Sequence, residues 1–273
     1  MIHFSDDVLT FVIDEYTSEP GVRKLKEMLF EIVAEINLNI LKTFETTFNI
    51  PINITIEDIK NKYLKDKRES LIRKVSNQNE VGFVNGMYAT SLGTGGTLPI
   101  HAKYFPSDKF LDLKLTGLQQ DVMKESMHVA LTVAWNLTEL KIQNELRKKY
   151  DVENHKCGIN IHTGDNAVSK DGPSGGCAIT CALYSLLNGV PIKPEFGITG
   201  EIQMSGEVTA IGGLNYKILG SLKSNVKSFI FPKENEKDFR EFYEKYKDNE
   251  MLVGVKFYPI SNVDEALELL LDK

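Results

Sequence analysis

A chain of 273 residues, 42% of them hydrophobic, holds enough apolar material for one large core or two modest ones. Its formal charge of −6 argues against nucleic acid as a partner, because a phosphate-binding face needs clustered lysine and arginine. No stretch reads as a signal peptide, a membrane span or a targeting tail, and three cysteines without a CxxC pair (Cys157, Cys177 and Cys181) fit a reducing, intracellular setting.

Phe4-Ser5-Asp6-Asp7 reads as a staple and cap before a helix with Val8, Leu9, Val12 and Tyr16 inward. Ser18-Glu19-Pro20 opens a longer helix. In it Val22, Leu25, Leu29, Ile32, Val33, Ile36 and Ile40 recur at three and four, giving one apolar stripe. Ile52, Ile54 and Ile56 alternate as a short strand, and 57–64 reads as a last short helix. The following segment is charged and polar. These signals predict a small helical domain over 1–66, a linker over 67–79 and a second domain over 80–273.

From Val81 the pattern turns to strands, over 81–89, 98–105 and 110–115. Gly93-Thr94-Gly95-Gly96 lacks the lysine and following hydroxyl of a phosphate loop and reads as a hairpin loop. One long helix is predicted over 119–149, and a strand over 158–162 leads into a glycine-rich loop. Beyond it come two short strands within 197–208, a helix after Gly212-Gly213, and strands and helices alternating over 228–231, 234–246, 255–258 and 263–271. Ser261 with Asp264 reads as a capping box for the last helix. The second domain is therefore mixed α/β.

Two places in it carry chemistry. In Lys170-Asp171-Gly172-Pro173-Ser174-Gly175-Gly176 a proline of fixed φ precedes a serine, glycines flank the pair, and a helical apolar run follows. Ser174 would stand at a helix N-terminus, where unpaired N–H groups favour developing negative charge. Alone, Pro-Ser-Gly reads as a helix cap. Downstream, Lys217 falls in the first turn of a helix carrying Leu214, Ile218 and Leu222. A cation is disfavoured there, and in apolar surroundings the amine is driven neutral, as a general base must be. Alone, Lys217 reads as a surface lysine. Cys177 and Cys181, four apart after Ser174, read as small buried apolar residues.

Taken together these stretches resemble the Lon proteases, which use a serine–lysine dyad. Their Asp-Gly-Pro-Ser-Ala-Gly motif is matched by Asp171–Gly176, with Gly175 in place of alanine. Their Gly-Gly-Leu-Lys-Glu-Lys motif is matched by Gly212–Lys217, with Asn215 and Tyr216 substituted. Lys217 follows Ser174 by 43 residues, the family spacing. Thr199-Gly200-Glu201 and Asp121-Val122-Met123-Lys124-Glu125-Ser126 match two further family blocks, and the likeness runs from about Phe4 to the C-terminus.

The resemblance implies a small helical AAA+ lid-type subdomain followed by a mixed α/β proteolytic domain. It implies a serine endopeptidase acting on unfolded or damaged polypeptides, with Ser174 as nucleophile and Lys217 as base. It also implies that the Thr199 hydroxyl orients the amine, that His162 lies near the site, and that Asp171 takes part in switching the site between open and blocked forms. Arg23, in Gly21-Val22-Arg23, resembles the family's nucleotide-sensing arginine, and Glu201 reads as structural. No cofactor is expected in this chain, because no GxxxxGK[ST] loop occurs in it. ATP and Mg, and a homo-oligomer of six, are expected for the full-length protein. The missing phosphate loop leaves a fragment of a longer chain, the favoured reading, or a variant without its motor. The latter would be a binding or chaperone-like module with a latent site.

Overall fold

The computed structural model describes residues 1–17, 19, 21–42, 50–67, 75, 78–90, 93–153, 155–164 and 171–271. The chain forms two compact units, Met1–Ile72 and Arg73–Lys273. In the first, β1 (Ile2–Phe4) leads into α1 (Asp6–Val12) and a wider π-type turn over Ile13–Thr17, followed by α2 (Arg23–Lys42), β2 (Ile52–Ile54) and α3 (Ile56–Asp58). β1 and β2 pair in parallel. Val8, Val12, Ile32, Ile36, Ile54, Ile59 and Leu64 are buried together, so the helical stripe read from sequence does face the core. Val22 is a correction: it lies before the helix and is 69% exposed. Ser18 and Pro20, expected to open the helix, lie outside the described residues, as does most of the expected linker. Thr55 and Asp58 form a reciprocal capping box that starts α3.

The second unit opens with the strands β3 (Phe83–Ala89), β4 (Gly95–Pro106) and β5 (Leu113–Thr116), followed by the helices α4 (Asp121–Leu137) and α5 (Leu140–Tyr150). Then come β6 (Asp151–Val152), β7 (His155–Thr163), α6 (Gly176–Asn188), β8 (Phe196–Ile198), β9 (Glu201–Ile202) and β10 (Val208–Thr209). α7 (Leu214–Lys223), β11 (Ser228–Pro232), α8 (Glu236–Tyr246), β12 (Lys256–Ile260) and α9 (Val263–Leu270) complete it. The main sheet runs β12-β11-β8-β3-β4-β7-β5. It is parallel from β12 to β3, antiparallel across β3, β4 and β7, and parallel again at β5.

Both faces of this sheet are covered, which β11 shows in miniature. Phe229 and Phe231 point into one cluster with Met87, Leu214, Ile218 and Phe242, while Ile230 between them points into the other with Ile179, Leu183 and Leu267. Helices α4, α6 and α9 therefore lie over one face, and α7 and α8 over the other.

Three local expectations give way. The single helix over 119–149 is two, because Thr138 is extended (φ −75°, ψ 130°). Its hydroxyl donates back to Ala134 O at 2.9 Å and accepts from Asn188 Nδ2 of α6 at 3.0 Å, while Gln143 Nε2 donates to Trp135 O and Thr138 O. Side-chain bonds thus take over from the helical ladder. The last helix is capped by Asn262 with Glu265, one residue beyond the pair expected, and the Glu265 carboxylate also accepts from Ser261 N. Gly95 and Gly96 belong to β4, and the hairpin closes at Thr90 N to Thr94 O, 2.8 Å.

That glycine pair lets α7 press directly on β4. A Cβ on Gly220 would stand 2.0 Å from Gly95 O, and one on Gly95 would stand 2.2 Å from Tyr216 O. Helix propensity alone would make Gly220→Ala stabilising by about 1 kcal/mol. The backbone contact reverses the sign: we expect a loss of about 1–3 kcal/mol, read as a lower midpoint in thermal unfolding. An unchanged or higher midpoint would mean that α7 does not lie this close.

Candidate active site

The turn before α6 is built by its backbone requirements. Gly172 sits at φ 114°, a conformation open to glycine and rarely to other residues, and Pro173 begins a single 3-10 turn over Pro173–Gly175. Ser174, half-buried, lies in this turn, where the first N–H groups lack intrahelical acceptors. Gly176 starts the α-helix in a tight place: a Cβ there would come within 2.6 Å of Ile202 Cγ2 and 2.7 Å of Ser126 Oγ. Two backbone bonds then pin the turn to the segment after β8, from Gly200 N to Ser174 O at 2.9 Å and from Cys177 N to Gly200 O at 3.0 Å.

Lys217 comes from the other face of the sheet. Gly213, left-handed at φ 70°, begins α7, and the lysine follows within the first turns, 3% exposed. Its Nζ donates to Thr199 Oγ1 at 2.9 Å, and that hydroxyl donates to Ser174 O at 3.2 Å. Thr199 is itself fully buried, and its N–H bonds Ile230 O in the sheet at 3.1 Å. Burial without a carboxylate partner pulls the Lys217 amine from its ordinary 10.5 down to about 8. Among the described residues no hydrogen bond joins Ser174 Oγ to Lys217 Nζ; the connection runs through Thr199 and the Ser174 carbonyl.

The other residues singled out in the sequence fall in different places. The Asp171 carboxylate accepts from Met123 N at 3.3 Å, supplying the N-terminus of α4 with the acceptor that Gln120 does not provide. Gly175 is right-handed at φ −85°, and a Cβ there would make ordinary contacts of 3.6 and 3.7 Å with Ile179 and Met123, so the family's alanine fits. His162 Nδ1 lies 3.0 Å from Thr116 Oγ1 on β5, and no hydrogen bond links it to Ser174, Thr199 or Lys217 among the described residues. Lys170 lies outside the described residues. Arg23 lies in the first unit, its side chain 89% exposed and paired with Glu27 at 3.2 Å. Cys177 and Cys181 are buried and unbridged.

No local pattern in the sequence signals how α4 meets this turn. Ser126 Oγ donates to Pro173 O at 3.4 Å, so the Asp121–Ser126 block borders the serine. A groove of about 560 Å³ runs from Pro173 between α4 and β9. Its signal was the block itself, whose location no local pattern discloses.

Residues 53–273 match the Lon protease (S16) C-terminal proteolytic domain, and residues 1–47 match the Lon protease AAA+ ATPase lid domain. The chain is 35% identical to the Lon protease of Mycoplasma mobile over 98% of its own length and 30% of that protein. It is 34% identical to the Lon proteases of Dictyoglomus thermophilum and Trichlorobacter lovleyi, over 99% and 100% of its length and 32% and 31% of theirs. It thus spans about a third of the length of the curated relatives it matches. No helix among the described residues is long and apolar enough to cross a membrane. A lid domain followed by a mixed α/β domain of the proteolytic type, matched over nearly every residue, makes this chain a member of the Lon protease family.

Proposed function

We propose that the chain carries the proteolytic site of an ATP-dependent Lon protease, a serine endopeptidase that cleaves unfolded polypeptides with Ser174 and Lys217. The observation that carries this reading is the buried amine bonded to Thr199, whose hydroxyl holds the Ser174 carbonyl. A neutral amine donating one hydrogen to Thr199 keeps its lone pair for the Ser174 hydroxyl. Ser174 Oγ attacks the scissile carbonyl as Lys217 takes its proton, and the amine then protonates the leaving nitrogen. Water, deprotonated by the same amine, hydrolyses the ester. N–H groups of the opening turn would stabilise the oxyanion, where one donor is worth roughly 3 kcal/mol.

The missing bond between Ser174 Oγ and Lys217 Nζ favours a second reading, a binding or chaperone-like module with a latent site.

ATP and Mg would act elsewhere in the full-length protein. Arg23 is exposed and pairs with Glu27, and the sequence holds no phosphate loop, so these residues by themselves do not compose a nucleotide site. A ring of six copies in the full-length protein belongs to the same proposal.

In a fluorogenic peptide assay, Ser174→Ala and Lys217→Ala should each remove cleavage by at least 10²-fold. The wild-type rate should rise with pH and level off above about 8, as the amine loses its proton. Cleavage surviving in either variant rejects the dyad, and no cleavage by the wild type favours the latent module.

The same titration acts on stability. The folded value lies below the unfolded one, so the unfolded chain binds the extra proton between about pH 8 and 10.5, and stability from this group rises with pH across that window. Below it, burying the amine costs on the order of 3 kcal/mol. Lys217→Met should therefore raise the unfolding midpoint at pH 7, by a margin that shrinks toward pH 10.5. A gain independent of pH would mean the amine is not neutralised by burial.

A further inference from the structure

The groove that begins at Pro173 has a mixed lining. Val122 and Met204, 50% and 61% exposed, give it apolar walls, and Asp121, Glu125 and Glu201 surround them with carboxylates. Among the described residues, none that line it is a lysine or arginine. Asp121 pairs with Lys124 at 3.1 Å on the exposed side of α4. Glu125 has no ion-pair partner among the described residues, and the Glu201 carboxylate receives only the Gln203 amide, at 3.5 Å. Lys217 faces Thr199 and is buried away from them. The volume, about 560 Å³, is that of an ordinary ligand cleft.

We infer that this groove binds the stretch of substrate polypeptide beside the cleaved bond and selects chains that carry a lysine or arginine there. The occupant follows from the lining. A lysine or arginine side chain lays an apolar stem on surfaces such as Val122 and Met204 while its charged head meets Glu125 and Glu201. A glutamate in the same place would set like charges together. The carboxylates are partly exposed, so the preference is moderate and screened by salt. The inference rests on the Ser174–Lys217 reading for the groove's purpose, but its test does not require catalysis.

The test uses the whole chain carrying Ser174→Ala and three labelled decapeptides of one neutral, unstructured sequence, with lysine, glutamine or glutamate at the same two positions. Fluorescence anisotropy at low and high salt gives the affinities. The lysine peptide should bind about three- to ten-fold more tightly than the glutamine peptide, and the glutamate peptide more weakly than either. High salt should compress the order, and Glu125→Gln with Glu201→Gln should abolish it. Equal affinities, no binding of the lysine peptide, or an order that survives salt all overturn the inference. So does an order that survives the double substitution in a variant shown folded by circular dichroism. If that variant does not fold, the salt series decides. Cleavage of the glutamine peptide by the unsubstituted chain reads the dyad separately. Charge-ordered binding without cleavage keeps the groove and rejects the dyad, and cleavage without charge order keeps the peptidase and rejects this inference.

Discussion

A lysine amine taken out of water and given a threonine hydroxyl in place of a carboxylate sets the terms for the second unit. A carboxylate beside Lys217 would have kept it charged; Thr199 satisfies one of its hydrogens and leaves the burial cost standing. That cost has to be met by the surrounding core. Leu214 and Ile218 anchor α7 against Phe229 and Phe231, and Gly95 and Gly220 allow the helix to sit directly on β4. The amine is held in an unfavourable place by contacts that are themselves favourable.

The sheet explains how two helices from opposite faces reach one point. α6 and α7 are separated by the layer of strands, and they meet where β8 ends and the chain runs on through Thr199 and Gly200. Both residues are tied into the structure on two sides, Thr199 to Ile230 and the Lys217 amine, Gly200 to Ser174 and Cys177. Sites at the carboxyl ends of strands are common in α/β folds because helix N-termini and loops converge there. Here the serine turn, the lysine helix and the groove along α4 share that end of β8.

The first unit follows a simpler logic. Its two short strands pair residues about fifty positions apart, and α2 lays one stripe of Leu25, Met28, Ile32 and Ile36 into a core shared with Val8 and Val12 of α1 and Ile54 of β2. Residues 1–47 match an ATPase lid domain and 53–273 a proteolytic domain, so the first unit holds the lid match and the start of the proteolytic one.

Much of the site was legible because its determinants are local. A proline and glycines fix the turn at Ser174, a left-handed glycine fixes the start of α7, and apolar residues at helical spacing orient both helices. Amphipathic helices and alternating strands were legible for the same reason, since their periods report which side meets the core. What lay beyond the sequence depends on residues far apart in it. β1 is a strand only because β2 lies beside it; the helix over 119–149 is broken at Thr138, whose hydroxyl is held by Asn188; and Glu125 faces a groove because α4 packs on the serine turn. The sequence by itself determined which side chains are present, what secondary structure each prefers and how far apart the serine and lysine lie along the chain. Only the tertiary structure decided how deeply the lysine is buried and that the hydroxyl it meets reaches the Ser174 carbonyl, because burial and hydrogen bonding are properties of the neighbours a fold assembles.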